Sequence, residues 1–200
     1  MAYSDFSLVK VKKEFGLTEE TVLLFESIET LPLSNWLKTT LAYGKRLSLY
    51  SPSEKAKSEF IVAPILIEVQ GSREDLALYS GKSLDVDKSK GLNGECDFIL
   101  SKSKLTHTIQ APILGLVEAK KNDIELGMGQ CISQMIGAKL FNEQEHTNLD
   151  TVFGCVTTGD VWLFLKLYND TFFINEERYY IDNIGKILGV FKKIASYYDD

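Results

Sequence analysis

Two acidic residues and a lysine have types and spacing that suit a divalent metal ion and a phosphate. Asp97 ends the segment Gly94-Glu95-Cys96-Asp97, and a single alanine, Ala119, separates Glu118 from Lys120. Side chains alternate across a strand, so Glu118 and Lys120 share a face and Ala119 points the other way. Mg²⁺ prefers oxygen ligands, which the two carboxylates and the Ala119 carbonyl would supply, with Mn²⁺ as a substitute ion. A nearby lysine would stabilise charge on a phosphate, so the pattern predicts a metal-dependent phosphodiesterase site.

Two apolar segments are expected to position these residues. Strands are predicted over Cys96 to Leu100 and over Ile109 to Ala119, and the second is apolar on both faces, as in a strand buried on two sides. The polar link Ser101 to Thr108 favours an antiparallel hairpin. Glu118 and Lys120 then end their strand at the carboxyl edge of the sheet, where open α/β sheets commonly bind ligands.

The remaining periodicity predicts an α/β (α+β) fold with a mixed central sheet flanked by helices. Helices are expected over residues 17 to 29, 33 to 50, 51 to 69, 126 to 141 and 184 to 198, the third capped by Ser51 and kinked at Pro64. Further strands are expected near residues 76 to 79, 84 to 86, 151 to 157 and 161 to 167, with 172 to 174 as an edge strand.

Composition sets the class of protein. Two hundred residues with 44% hydrophobic content suit one domain, and no apolar run is long enough to predict a membrane span. Cys96, Cys131 and Cys155 are odd in number and lie among apolar neighbours, which indicates buried thiols in a reducing, cytoplasmic compartment. The net charge of −6 argues against a broad nucleic-acid footprint but allows a local basic groove. The oligomeric state stays open, with a homodimer as one alternative.

With these motifs in place, the chain resembles the PD-(D/E)XK phosphodiesterase superfamily, the restriction-endonuclease-like fold. The resemblance covers the element order from Ser51 to Leu167, and Pro64, ten residues after Glu54, makes the run similar to the nuclease domain of type I restriction motor subunits. It implies a nuclease-like core over residues 51 to 175, an N-terminal helical extension over 1 to 50 and a C-terminal helix over 182 to 200. Cys96 stands where the family has a proline.

The resemblance also implies roles for single residues. Asp97 and Glu118 would bind the metal, and Lys120 would act on the attacking water or the scissile phosphate. The family's acidic residue on the first core helix corresponds to Glu54 or to Glu59, and helical phase does not separate these two. A helix bearing glutamine follows in the family, and Gln130 and Gln134 stand on the corresponding helix, one turn apart.

Three functions remain open on the sequence. The first is a Mg²⁺-dependent deoxyribonuclease, with DNA phosphates held by Lys102, Lys104 and Lys121 near the site. The second is a catalytically silent member of the fold that binds nucleic acid or a protein partner. The third is a scaffold in which Asp97 and Glu118 form buried salt bridges with Lys120.

Overall fold

The fold is built on one mixed sheet of eight strands, seen in a computed structural model that describes residues 1–147 and 149–199. The strand order is β1-β7-β6-β5-β4-β3-β2, and β8 pairs with β6. The bounds are β1 Thr18–Val22, β2 Ala77–Ser83, β3 Glu95–Ser101, β4 Ile113–Ala119, β5 Thr151–Thr157, β6 Val161–Tyr168, β7 Thr171–Asn175 and β8 Tyr179–Tyr180. A mixed central sheet flanked by helices is thus confirmed.

Helices cover both faces of this sheet. The bounds are α1 Leu8–Phe15, α2 Asn35–Tyr50, α3 Glu54–Lys57, α4 Ala63–Gly71, α5 Ile124–Gln144 and α6 Ile184–Ser196, and short 3₁₀ turns occupy Tyr3–Asp5, Lys88–Lys90 and Ile181–Asn183. Residues from α1 and α5 share one apolar cluster with the sheet. Residues from α2, α4 and α6 share a second cluster on the opposite face. Coverage of both faces explains why every residue of β4 and β5 is buried and why most of them are apolar.

Strand directions define one end of the sheet that matters for the site. β4 runs antiparallel to β3 and parallel to β5. The end of β4 at Ala119 therefore lies beside the start of β3 and the end of β5 at Thr157. The predicted hairpin between β3 and β4 is confirmed, although its connection is longer than expected, because β4 begins at Ile113 rather than at residue 109.

The helix predicted over residues 17 to 29 is wrong. Thr18–Val22 forms β1, which pairs in parallel with β7 and makes the sheet edge, so β7 is not the edge strand. The segment Thr-Glu-Glu-Thr-Val is polar and mostly exposed, which leaves no apolar alternation to indicate a strand. Backbone pairing with β7 decides its conformation instead. The strand predicted at residues 84 to 86 is also wrong, because β2 ends at Ser83.

The predicted helix over residues 51 to 69 is interrupted by a π-helical turn. α3 begins at Glu54, and its cap is Ser53 rather than Ser51, because the Ser53 hydroxyl accepts the Ala56 N–H at 3.0 Å. The π turn spans Ser58–Val62 and joins α3 to α4. Pro64 explains the turn, since a proline lacks an N–H and its ring displaces the carbonyl four residues earlier, at Phe60.

The displaced Phe60 carbonyl faces α2 at Gly44. A Cβ at position 44 would stand 2.1 Å from the Phe60 oxygen, so only glycine allows the two backbones to approach this closely. Leu37 and Leu41 are buried on the same side of α2. The proline, the π turn and the glycine therefore fix how α2 and α3 meet.

Two further expectations concern thiols and membranes. Cys96, Cys131 and Cys155 are free and buried, as predicted. Burial is the main reason that the pKa of the Cys96 thiol is raised well above its ordinary value, and the nearby Glu118 carboxylate adds to the rise.

No helix formed by residues 1–147 and 149–199 is long and apolar enough to span a bilayer.

Candidate active site

The site is built where the ladder between β3 and β4 stops. The last cross-strand pair on this side is Phe98 with Val117, and the next residues along the register are Asp97 and Glu118. Here a side chain replaces a backbone partner, because the Asp97 Oδ2 atom accepts the Ala119 N–H at 2.8 Å. Asp97 and Glu118 are therefore neighbours on adjacent strands, as predicted, and Ala119 contributes its amide to the arrangement.

Glu118 is a buried carboxylate with both oxygens bonded. Only 1% of the residue is exposed. Its Oε1 atom accepts a hydrogen bond from Lys120 Nζ at 2.6 Å, and its Oε2 atom accepts one from Gln134 Nε2 at 2.9 Å. These two partners fix the rotation of the carboxylate. The predicted shared face of Glu118 and Lys120 is confirmed by their direct contact.

Lys120 is held from two sides. Its ammonium donates to Glu118 and also to the Gln130 Oε1 atom, which lies 3.1 Å away on α5. Its aliphatic stem packs against α5 at Gly127, where a Cβ would come within 2.9 Å of the Lys120 Cγ atom. The glutamines predicted to stand at the site, Gln130 and Gln134, both contact it. They hold different partners, one the lysine and the other the glutamate.

Of the two glutamates expected as candidates on the first core helix, Glu54 lies near the site and Glu59 does not. The Glu54 Oε2 atom accepts the backbone N–H of Lys121 at 3.1 Å, which ties the start of α3 to the residue after Lys120. Glu59 instead faces solvent, with 54% of its side chain exposed, and forms an ion pair with Lys55 at 3.8 Å. The charge of Glu54 also acts on the site, because it contributes to the raised pKa values of Asp97 and Lys120.

The pKa values of the two acids and the lysine at the site are all raised above their ordinary values. Burial and the neighbouring Asp97 charge raise the pKa of Glu118 to about 7, although Lys120 and Gln134 oppose the rise. Burial likewise raises the pKa of Asp97, against the lowering effect of the Ala119 N–H. Burial alone would lower the pKa of Lys120, but the Glu118 carboxylate more than compensates and raises it. The lysine therefore stays protonated beside an acid that titrates near neutrality.

The donor chemistry of the site fits Mg²⁺. Asp97 and Glu118 offer hard oxygen atoms, and Mg²⁺ is commonly held by one or two carboxylates together with waters and substrate phosphates. Burial is the main cause of the raised pKa values of both acids and repulsion from neighbouring carboxylates adds to it, so a bound cation would favour their ionised forms. Over residues 1–147 and 149–199, no group of three or more His, Cys, Asp and Glu side chains is close enough to hold a metal ion. Two carboxylates, rather than a complete protein cage, are what the chain provides.

The lysines predicted to hold nucleic acid near the site are only partly placed there. Lys121 follows Lys120 and lies at the site through its backbone contact with Glu54. Lys102 lies beyond the other end of β3, where it forms an ion pair with Asp199 at 3.1 Å. Lys104 follows in the same connection. The predicted proximity of Lys102 and Lys104 to the site is therefore wrong, because β3 begins at the site and ends away from it.

One contributor to the site was not identified from the sequence. Gly127 allows α5 to pack directly on Lys120 and on Val156 of β5, since a Cβ would come within 2.6 Å of the Val156 Cγ1 atom. The signal was present, because a glycine inside a helical pattern often marks a close approach of two elements.

A cavity of about 810 Å³ lies away from this site, on the α2, α4 and α6 side of the sheet. Its walls include Trp36, Ile67 and Leu188, and its rim includes Arg73, which is paired with Asp75 and Asp199 at 2.7 Å in each case. The chemistry-bearing residues therefore stand at the end of the sheet and not in this cavity.

Known proteins supply no separate identification of the site. The chain matches no family model, no curated protein and no solved structure. The contacts of the site bring together Asp97, Glu118, Lys120 and Gln130. They also link Glu54 to Lys121, the residue after Lys120.

Proposed function

We propose that this chain is a Mg²⁺-dependent nuclease that hydrolyses phosphodiester bonds in DNA at a site of the PD-(D/E)XK type. One observation carries the proposal. A buried carboxylate, Glu118, and a half-buried one, Asp97, lie on adjacent strands beside a protonated lysine that a glutamine on the next helix holds in place. Burying ionised groups costs free energy, so such groups are uncommon inside proteins. Strongly shifted pKa values cluster at functional sites.

Asp97 and Glu118 are the residues that would hold the ion, with the Ala119 carbonyl as a predicted third ligand and Glu54 close by. When bound, Mg²⁺ would lower the pKa of a coordinated water and stabilise the negative charge of the transition state. Glu118 is prepared for this role because Gln134 fixes one oxygen. The ion would take over the neutralising role that Lys120 fills in this structure.

Lys120 has the role of a positioned cation. Its raised pKa keeps it protonated at neutral pH, so it can donate a hydrogen bond to a phosphate oxygen or to the attacking water. The Gln130 carbonyl oxygen holds the ammonium at 3.1 Å, which keeps it at the site when Glu118 turns to an ion. Gln130 is thus a positioning residue, while Lys120 contacts the reacting groups.

A catalytically silent scaffold is the second candidate function. The direct Lys120–Glu118 pair at 2.6 Å favours it, because a lysine that neutralises a buried acid also suits a purely structural ion pair. In either case a cytoplasmic location is proposed, since three buried free thiols suit a reducing compartment.

Metal binding and cleavage, measured separately, test the nuclease proposal. Calorimetry with Mn²⁺ should show binding by the wild type, and plasmid or oligonucleotide DNA should be cut in its presence. Glu118→Ala should remove both signals, whereas Lys120→Ala should remove cleavage and leave Mn²⁺ binding. Glu54→Ala should weaken cleavage, and Glu59→Ala is its matched control on the same helical segment. Wild-type protein that neither binds Mn²⁺ nor cuts DNA would leave the scaffold as the better account.

A further inference from the structure

An exposed strip of large side chains runs along the last two turns of α2. Tyr43, Leu47 and Tyr50 are spaced four and three residues apart, which puts them on one face of the helix. They are 67%, 52% and 81% exposed. Large apolar side chains that adjoin one another on an exposed surface are typical of an interaction site. We call Tyr43, Leu47 and Tyr50 the α2 strip.

The exposure is not a result of a loosely packed helix. The opposite side of α2 carries Leu37 and Leu41, which are buried in the core. Gly44 lies directly against the Phe60 carbonyl, and this contact leaves no room for α2 to roll about its axis. The α2 strip therefore faces solvent because the fold directs it there.

The charge of α2 identifies the chemistry of a partner. The helix carries Lys38, Lys45 and Arg46 and no acidic residue, although the chain as a whole has a net charge of −6. Within residues 1–147 and 149–199, none of these three cations takes part in a salt bridge. Arg46, three residues after Tyr43 and four before Tyr50, is the cation that borders the α2 strip, so a second copy packed on this face would oppose like charges and an anionic partner is favoured.

The strip also ends beside the candidate active site. Tyr50 is the last residue of α2, and Glu54, which contacts the backbone of Lys121, follows four residues later. Four residues span at most about 14 Å. A nucleic-acid strand that leaves α2 at Tyr50 therefore has at most about 14 Å to cover before it reaches Glu54.

We propose that the α2 strip is a platform for single-stranded nucleic acid, on which unpaired bases stack on Tyr43 and Tyr50 while Arg46, which lies between them on the helix, contacts a phosphate. Stacking on tyrosine needs an open base face, which a duplex does not offer. Three basic residues are also too few to neutralise the dense charge of a duplex. The proposal deepens the proposed function by naming the substrate class, and it rests on that function only for what happens to the strand at the site.

Binding without metal tests the platform directly. Full-length protein in EDTA at low salt is titrated into fluorescently labelled 20-nucleotide oligo(dT), oligo(U) and a blunt 20-base-pair duplex, with anisotropy as the readout. Oligo(dT) or oligo(U) should bind at least tenfold more tightly than the duplex, and the comparison of the two separates DNA from RNA. Tyr43→Ala/Tyr50→Ala should weaken that binding about tenfold or more, since each stacked base contributes substantially. Arg46→Glu should weaken it as well.

Tyr168→Ala is the matched control. Tyr168 is a 41% exposed tyrosine at the opposite end of the sheet from the site, and its removal should leave binding unchanged.

Equal binding of duplex and single strand, or unchanged binding by the double variant, overturns the proposal. So does a dimer in light scattering that the double variant dissociates, because the strip would then be a protein interface. Tyrosine-dependent binding without cleavage in Mn²⁺ upholds the platform while the nuclease activity fails. Cleavage in Mn²⁺ that is unchanged in the Tyr43→Ala/Tyr50→Ala variant, without tyrosine-dependent binding, upholds the nuclease activity and overturns the platform.

Discussion

The Asp97 carboxylate accepts the backbone N–H of Ala119 at 2.8 Å, at the point where the ladder between β3 and β4 ends. A side chain thus completes the hydrogen bonding of a strand while presenting negative charge beside Glu118. The same residue serves the fold through one oxygen and is available to a cation through the other.

Asp97→Asn should separate these two roles. The asparagine side-chain oxygen can still accept the Ala119 N–H, and the repulsion between the two neighbouring carboxylates disappears, so the free energy of unfolding should be unchanged or about 1 kcal/mol higher. Mg²⁺ should no longer raise the melting temperature, as it should in the wild type. Thermal melts with and without Mg²⁺ measure both effects. Asp97→Ala is the control that loses the hydrogen bond and should melt lower. A marked destabilisation by Asn would instead indicate a structural salt bridge.

Glu118 should make stability fall as the pH rises through neutrality. Its folded pKa of about 7 lies above the ordinary value of 4.5, so the folded protein binds the extra proton between these pH values. Its contribution is fully present below pH 4.5 and is lost as the pH rises through about 7, by about 3 kcal/mol. Urea unfolding at several pH values should show Glu118→Gln gaining stability relative to wild type over this window. Saturating Mg²⁺ should reduce that gap, because the ion favours the ionised carboxylate. Parallel pH profiles would contradict the shift.

The two glutamines of α5 should differ in effect. Gln134 is fully buried and bonded to Glu118, so Gln134→Ala should cost about 2–3 kcal/mol of stability through the lost hydrogen bond and the cavity. Gln134→Met keeps the volume and isolates the hydrogen bond. Gln130→Ala should change stability by less than about 1 kcal/mol and reduce the turnover of DNA without weakening Mn²⁺ binding, because it holds only Lys120. Chemical denaturation and single-turnover cleavage provide the comparison. Equal losses of stability would argue against separate roles.

Gly127→Ala tests whether the close contact of α5 positions Lys120. The new methyl group would meet Val156 at 2.6 Å and the lysine stem at 2.9 Å, so the helix or the lysine must move. We expect a loss of about 1–2 kcal/mol, after the gain in helix propensity, together with slower cleavage. Gly71→Ala is the matched control. No atom lies within 4 Å of a Cβ at that position, and this change should be neutral or slightly stabilising. Identical effects of the two substitutions would refute the packing argument.

The sequence predicted the residues of the site better than the elements around it. Glu118, Lys120 and Asp97 could be located because alternation and strand order determine which side chains meet. Lys102 lies away from Asp97 because β3 begins at the site, and a residue that follows the far end of that strand is about a strand length from it. β1 could not be predicted from its own residues, because its partner β7 is about 150 positions away. The choice of Glu54 over Glu59 required the observed contact with Lys121.

The π-helical turn at Ser58–Val62 sets the direction of Glu54 relative to the core. A π turn contains one residue more than the α-helical turn it replaces, so it rotates α3 by about 100° relative to α4. α4 keeps Ile65 and Leu66 in the core whatever the orientation of α3. A one-residue deletion in the turn would therefore swing Glu54 away from Lys121, and it would also disturb the packing of Ile61 and Val62. The extra residue of one turn thus determines whether an acidic side chain on α3 reaches the site, separately from the residues that α4 buries.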